Sequence, residues 1–258
     1  MDILTSKQSG VLTITFNRPA KKNAITADMY QAMADALRDA ETDNEVRVIL
    51  FTGQENIFTA GNDLEDFMKN ASQLNSDGET ASIIQFMRAL SSSPKPIIAA
   101  VAGLAVGIGT TMLMHCDLVY LADNAKLTMP FSQLGLCPEF SSSLLLQRVA
   151  GYHRAAEKLM LGEPFGAQEA VEMGLANKVV SAAELLEFAN QQAAKLVALP
   201  AASLRATKRL MKSSQAGLVN EVMQDELKQF ALMLSGPEAK EAFMAFFQKR
   251  KPDFSQFS

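Results

Sequence analysis

Apolar positions along the chain follow two regimes. Up to about residue 129 they form short runs bounded by Gly, Pro, Asn and Asp. Val11–Phe16 (VLTITF) alternates and is β-branched, which predicts a strand. Val46–Thr52 (VRVILFT), Ile97–Val101 and Asp117–Ala122 (DLVYLA) read as further strands, and Lys126–Met129 as a short one. Phe58–Leu64 (FTAGNDL) reads as a short strand entering a glycine turn. Between them, Thr26 is placed to cap an amphipathic helix reaching about Thr42. Thr80–Leu90 is helical and is stopped by Pro94 and Pro96; residues 69–78 read as a mobile polar surface loop. Gly103–Gly109 reads as a turn and Thr110–Cys116 as helical. Beyond about residue 140 the period becomes 3.6, over 141–150, 153–161, 167–173, 182–198, 201–213, 217–234 and 236–250.

Strands alternating with helices indicate an α/β protein with largely parallel sheets, and the short spacings suggest small ββα turns instead of one wide sheet. No internal repeat or domain-separating linker is legible. The expected organisation is a core over 1–199 and a helical C-terminal region over 200–258.

Composition removes whole classes. A net charge of −4 argues against nucleic-acid binding. Two cysteines, Cys116 and Cys137, with His115 and His153 the only histidines, leave no disulfide framework and no zinc cluster. No metal is expected. The start, MDILTSKQSG, lacks a secretory pattern, and Ile97–Met114 is too short and glycine-broken for a membrane span. DFSQFS is not a peroxisomal address. A soluble, cytoplasmic protein is the expectation.

Two glycine segments carry backbone chemistry. In FTAGNDL, Gly61 turns the chain after a strand. In AGLAVGIGTT, Gly103, Gly107 and Gly109 lie between a strand and a helix. Backbone N–H groups at such a helix start can hold an anion or a developing oxyanion. Glycines that merely permit tight packing are the competing reading. No G-x-G-x-x-G follows the first strand, and neither a P-loop nor a G-x-S-x-G elbow is present.

VLTITFNRPAKKNAI, FTAGNDL, KPIIAAVAGLAVGIG, CDLVYLADNAKL, LGLCPE and EAVEMGLANKVV occur in that order. The chain thereby resembles the crotonase superfamily, the enoyl-CoA hydratases and isomerases, from about Val11 to Phe254. The resemblance implies a crotonase-like spiral of ββα turns with a helical C-terminal extension, an acyl-CoA substrate, and homotrimers or hexamers. CoA thioester would be the substrate and no separate cofactor is implied; the region from 200 would serve trimerisation.

On that resemblance the oxyanion donors are the N–H groups of Asn62 and Ile108. Ile108 departs from glycine, and a β-branched residue avoids positive φ. The two hydratase glutamates are missing: Thr111 and Phe131 stand at the matching positions. Glu139, after Pro138, resembles instead the base of the peroxisomal-type Δ3,Δ2-enoyl-CoA isomerases. An apolar surround of Phe131, Leu136 and Phe140 would raise its pKa. Judged by residue type alone, Glu139 reads sooner as an exposed loop glutamate, the commonest fate of Glu.

The implied substrate-binding residues are Lys22, Ala24, Ala60, Asp63, Leu64, Gly107, Phe131, Leu136, Phe246 and Lys249. Lys21 shares the loop of Lys22. Asp63 also suits a turn cap, and the Lys249–Lys251 run also suits a helix C-terminus. His115 reads as a core histidine, Cys137 as pocket lining, and Ser141–Ser143 as caps of the next helix. The implied activity is Δ3,Δ2-enoyl-CoA isomerisation. Hydration and non-catalytic CoA-thioester binding are the alternatives, since the fold does not choose among the chemistries it supports.

Overall fold

The computed structural model describes residues 1–69 and 81–257. The loop expected at 69–78 lies outside the described residues apart from Lys69.

Six strands form the first sheet, in the order β1 (Ile3–Gln8), β2 (Val11–Phe16), β3 (Val48–Thr52), β5 (Ile97–Val101), β7 (Leu118–Ala122) and β10 (Lys178–Val180). Only the β1–β2 pair is antiparallel. A second sheet holds β4 (Ile57–Thr59), β6 (Leu104–Val106), β8 (Lys126–Thr128) and β9 (Phe165–Gly166). β3, β5 and β7 are neighbours in the first sheet, and the strands that follow them, β4, β6 and β8, are neighbours in the second. Each passage from one sheet to the other is thus one turn of a spiral. The stretch 103–109, read as a turn, contains β6. Its three strand residues pair with β4 and β8, a long-range pairing that a glycine-flanked tripeptide does not announce.

β3 and β5 are buried along their whole length because both faces of the first sheet are covered, as parallel sheets require. Ile49, Phe51, Ile97 and Ala99 face a core shared with α1 (Ala27–Thr42) and α3 (Ser82–Ser92). Val48, Leu50, Ile98 and Ala100 face Leu185, Ala189 and Ala193 of α8 (Leu185–Ala198). Thr26 caps α1 through Met29 N–H at 3.4 Å. Leu64, read as the end of a glycine turn, begins α2, which is described over residues 64–69.

The remaining helices are α4 (Ile108–Thr111), α5 (Ser142–Ala150), α6 (Tyr152–Leu161), α7 (Ala167–Glu172), α9 (Ala201–Ser213), α10 (Ala216–Leu234) and α11 (Pro237–Phe247). The C-terminal helices are tied to the spiral by buried polar contacts. Lys208 of α9 donates to Lys95 O at 2.7 Å and pairs with Asp117 at 2.6 Å. Lys212 reaches His115 O at 3.1 Å. No helix among the described residues is long and apolar enough to cross a membrane.

Candidate active site

Two sharp turns lie at the ends of adjacent strands in the second sheet. After β4, Gly61 adopts φ 83°. A Cβ there would sit 2.7 Å from Val106 O, so both conformation and space demand glycine. Ile25 N–H donates to Gly61 O at 2.8 Å, and Asp63 N–H to Ile25 O at 2.9 Å. These bonds bracket Asn62. After β6, Gly107 adopts φ 56° and ψ −120° and donates its N–H to Thr128 O at 2.8 Å. Ile108 is then the first residue of α4.

The difficulty expected from a β-branched residue here does not arise. Gly107 takes the positive φ, and Ile108 is already helical. Among the described residues, the N–H groups of Asn62 and Ile108 are used by no acceptor of the chain. For Ile108 this is the ordinary state of a helix start.

Glu139 is buried, 5% exposed, and is therefore not the loop glutamate that residue type alone allows. Its Oε1 accepts a hydrogen bond from the Thr111 hydroxyl at 2.5 Å. Among the described residues, Oε2 has no hydrogen-bond partner. Burial pushes the carboxyl pKa up to about 8; the Thr111 bond lowers it, and the nearby Glu226 raises it. Thr111, expected from the resemblance at the place of a hydratase glutamate, instead steadies the Glu139 carboxyl.

One cavity of about 650 Å³ collects these groups. Glu139, Asn62, Ile108, Lys22, Ala24, Ala60, Asp63, Leu64, Gly107, Phe131, Leu136 and Phe246 all line it. Lys21 lines it beside Lys22, and Phe67, Phe230, Phe243 and Phe247 add an aromatic wall. Lys249 is not among the lining residues. It is exposed beyond the end of α11, in a left-handed conformation at φ 54°. Its neighbour Arg250 forms an ion pair with Glu241, so this basic run closes the C-terminus onto its own helix. Asp63 lines the cavity, but its carboxylate is engaged. It pairs with Arg18 at 2.7 Å and accepts from Asp66 N–H at 3.1 Å. Among the described residues, the only other lining carboxylate is Glu65, which is exposed.

Such an arrangement can remove a proton next to a carbonyl and hold the resulting oxyanion on two backbone donors. Cys137 offers no nucleophile, because burial raises its thiol pKa to about 11. His115 is a buried core residue whose pKa is lowered to about 3 by burial. Its Nε2 lies 2.8 Å from Phe140 O and must carry the hydrogen, since the carbonyl can only accept. No group of three or more His, Cys, Asp or Glu residues suited to a metal occurs among the described residues.

The sequence reading passed over two residues. Tyr30 donates its hydroxyl to Asn62 Oδ1 at 2.5 Å. Glu226 caps α5, a role expected of Ser141–Ser143. Both left a faint trace. Glu226 falls on the 3.6-residue stripe of Met223, Phe230 and Leu234, and Tyr30 on that of Met33 and Leu37, where an apolar residue is expected.

The sequence profile of the enoyl-CoA hydratase/isomerase family matches residues 6–257. Enoyl-CoA delta isomerase 2 of Rattus norvegicus is 34% identical over 252 residues, covering 97% of this chain. This chain spans only 64% of that protein's length. The 2,3-dehydroadipyl-CoA hydratase of Escherichia coli K12 is 32% identical over 255 residues, covering 98% of each chain. The crystal structure of an enoyl-CoA hydratase/isomerase from Pseudoalteromonas atlantica T6c superposes with a TM-score of 0.92 at 37% identity, covering 98% of this chain and 100% of the other. Full-length agreement in profile, sequence and spiral fold shows that the chain belongs to the enoyl-CoA hydratase/isomerase family.

Proposed function

We propose that the protein is a Δ3,Δ2-enoyl-CoA isomerase working with one carboxylate. The observation that carries this reading is the state of Glu139. It is buried at an apolar cavity, held by Thr111 through one oxygen, and unpartnered at the other. A hydratase of the two-glutamate kind needs a second carboxylate to position water. Thr111 cannot supply one, and Asp63 is committed to Arg18.

A 3-enoyl thioester is acidic at C2, because that carbon is both α to the carbonyl and allylic. Glu139 Oε2 removes a C2 proton, and the electron pair moves into a dienolate. The thioester oxygen receives hydrogen bonds from Asn62 and Ile108 N–H; one such donor is worth about 2.7–4 kcal/mol in comparable sites. The protonated Glu139 then delivers its proton to C4, leaving the conjugated 2-enoyl thioester. Phe131, Leu136 and Phe140 keep the carboxyl dry, which raises its basicity and disfavours addition of water. Lys21 and Lys22 at the cavity edge suit the CoA phosphates. Exposed Leu210, Met211, Leu218 and Leu232 on α9 and α10 support self-association into a trimer or hexamer, which light scattering would measure.

The deciding assay follows absorbance of the conjugated thioester with 3-hexenoyl-CoA and, separately, 2-hexenoyl-CoA. Absorbance growing from the 3-enoyl substrate, and slowed about 10²-fold or more in Glu139→Gln, is expected. Absorbance lost from the 2-enoyl substrate instead would make the protein a hydratase. Binding without turnover of either would make it a CoA-thioester-binding protein.

A further inference from the structure

The residues that follow Glu139 are held in an unusual way. Phe140 and Ser141 adopt φ 58° and 57° in succession. Neither is glycine, and an aromatic residue in the left-handed region is a rare conformation. Consecutive strained residues persist only where their surroundings over-determine them, and such sites gather around functional groups.

Two side chains, both distant in sequence, do the holding. His115 grips the Phe140 carbonyl at 2.8 Å and stacks on the Phe140 ring with centroids 3.9 Å apart. Glu226, from α10, takes the other side. Its Oε2 accepts from Ser141 N–H at 2.5 Å, and its Oε1 from Ser143 N–H at 3.0 Å and Ser143 Oγ–H at 2.5 Å. Glu226 is 8% exposed. A buried carboxylate with no cationic partner is costly. Here it binds the N-terminus of α5, where backbone N–H groups favour negative charge. A serine cap would satisfy the same helix end without burying a charge. Ser141 does not act as one: its hydroxyl donates to Val219 O at 2.8 Å.

We infer that Glu226 is a positioning residue for Glu139. It fixes the left-handed Phe140–Ser141 turn and sets a like charge behind the base. This rests on the reading of Glu139 as the base. Among the described residues, the ionisable groups facing Glu139 are Tyr30 from α1, Cys137 on its own segment and Glu226 from α10, with His115 behind Phe140. Tyr30, Cys137 and His115 are uncharged near neutrality. Burial raises the pKa of Glu226 too, but the hydrogen bonds it accepts from Ser141 and Ser143 favour its ionised form, so among the described residues Glu226 is the neighbour whose charge acts on the base.

The test joins kinetics to a titration that needs no turnover. Protein labelled with carboxyl-¹³C glutamate is titrated by NMR, and the Glu139 resonance is assigned by its absence in Glu139→Gln. In Glu226→Gln, which keeps shape and removes charge, the Glu139 midpoint is expected to move to lower pH. In Glu226→Ala, kcat for 3-hexenoyl-CoA is expected to fall about 10²-fold with KM unchanged, as for a displaced catalytic group. Glu226→Asp, one methylene short, is expected not to restore it. Should Glu226→Ala fail to fold, Glu226→Gln decides alone.

A lowered melting temperature with wild-type kcat and an unmoved Glu139 midpoint would overturn the inference and leave Glu226 a plain helix cap. If the wild type does not isomerise 3-hexenoyl-CoA, the functional reading falls, while the midpoint still decides whether Glu226 acts on Glu139.

Discussion

Two sets of left-handed turns meet at the cavity, and they are built differently. Those at Gly61 and Gly107 use glycine and are locked by backbone bonds to Ile25 and Thr128. The turn at Phe140–Ser141 uses ordinary residues and is locked by the side chains of His115 and Glu226. The first kind presents backbone donors and tolerates variation in neighbouring side chains. The second aims one carboxylate and depends on contacts made across the chain. A donor belonging to the main chain needs only a conformation; a side-chain base needs an environment as well.

The sharpest way to break this contrast is at Glu139, the proposed base. Glu139→Gln is expected to lose about 10²–10⁴-fold in kcat, measured with 3-hexenoyl-CoA. Its stability should change in the opposite direction. The folded pKa of about 8 lies above the ordinary value of 4.5. The stability linked to this group is therefore complete below about pH 4.5 and is lost as pH rises through 8. The full difference is on the order of 5 kcal/mol. Urea unfolding at pH 9 should find Glu139→Gln more stable than wild type, with the gap closing towards pH 5. If Glu139 is the base as proposed, the wild-type kcat/KM should rise with pH and level off above about 8, because the carboxyl must be ionised to accept a proton; a flat profile from pH 6 to 9 would contradict this.

The glycine side is tested by Gly107→Ala. Nothing lies within 4 Å of a Cβ at this position, so only the dihedral resists. If the Ile108 donor depends on it, kcat should fall about 10²–10³-fold. Thr111→Val probes the support of the base. It removes the one hydrogen bond that lowers the Glu139 pKa. The pH profile should shift upward, and activity at pH 7 should fall about tenfold. The smallest effect belongs to Ser141→Gly, which relieves a left-handed residue and loses one hydroxyl bond to Val219. Unfolding free energy should change by less than about 1 kcal/mol. A large loss there would mean that the turn is held by Ser141 itself and not by Glu226.

Much of this was legible before the fold. Strand runs, helix periods and Thr26 as a cap follow from local pattern. Gly61 and Gly107 signalled sharp turns because few other residues adopt those dihedrals. Less legible were β6, whose pairing is long-range, the start of α2 after Asp63, and the fate of Lys249. A cation after a helix does not reveal whether it faces a cavity, and here Arg250 draws the segment onto Glu241. The Ser141–Ser143 run suggested hydroxyl caps, and no local rule points to a glutamate some 85 residues away.

The chain by itself determined the alternation of elements and the two glycine turns; Glu139 stood out only through the family resemblance. Period, propensity and positive φ are properties of neighbouring residues and are written locally. Tertiary structure decided that Glu139 is buried, that Thr111 steadies one oxygen and leaves the other unpartnered, and that Glu226 and His115 hold the turn behind it. Burial and electrostatics depend on what distant segments bring within a few ångströms, and only the folded chain sets those distances.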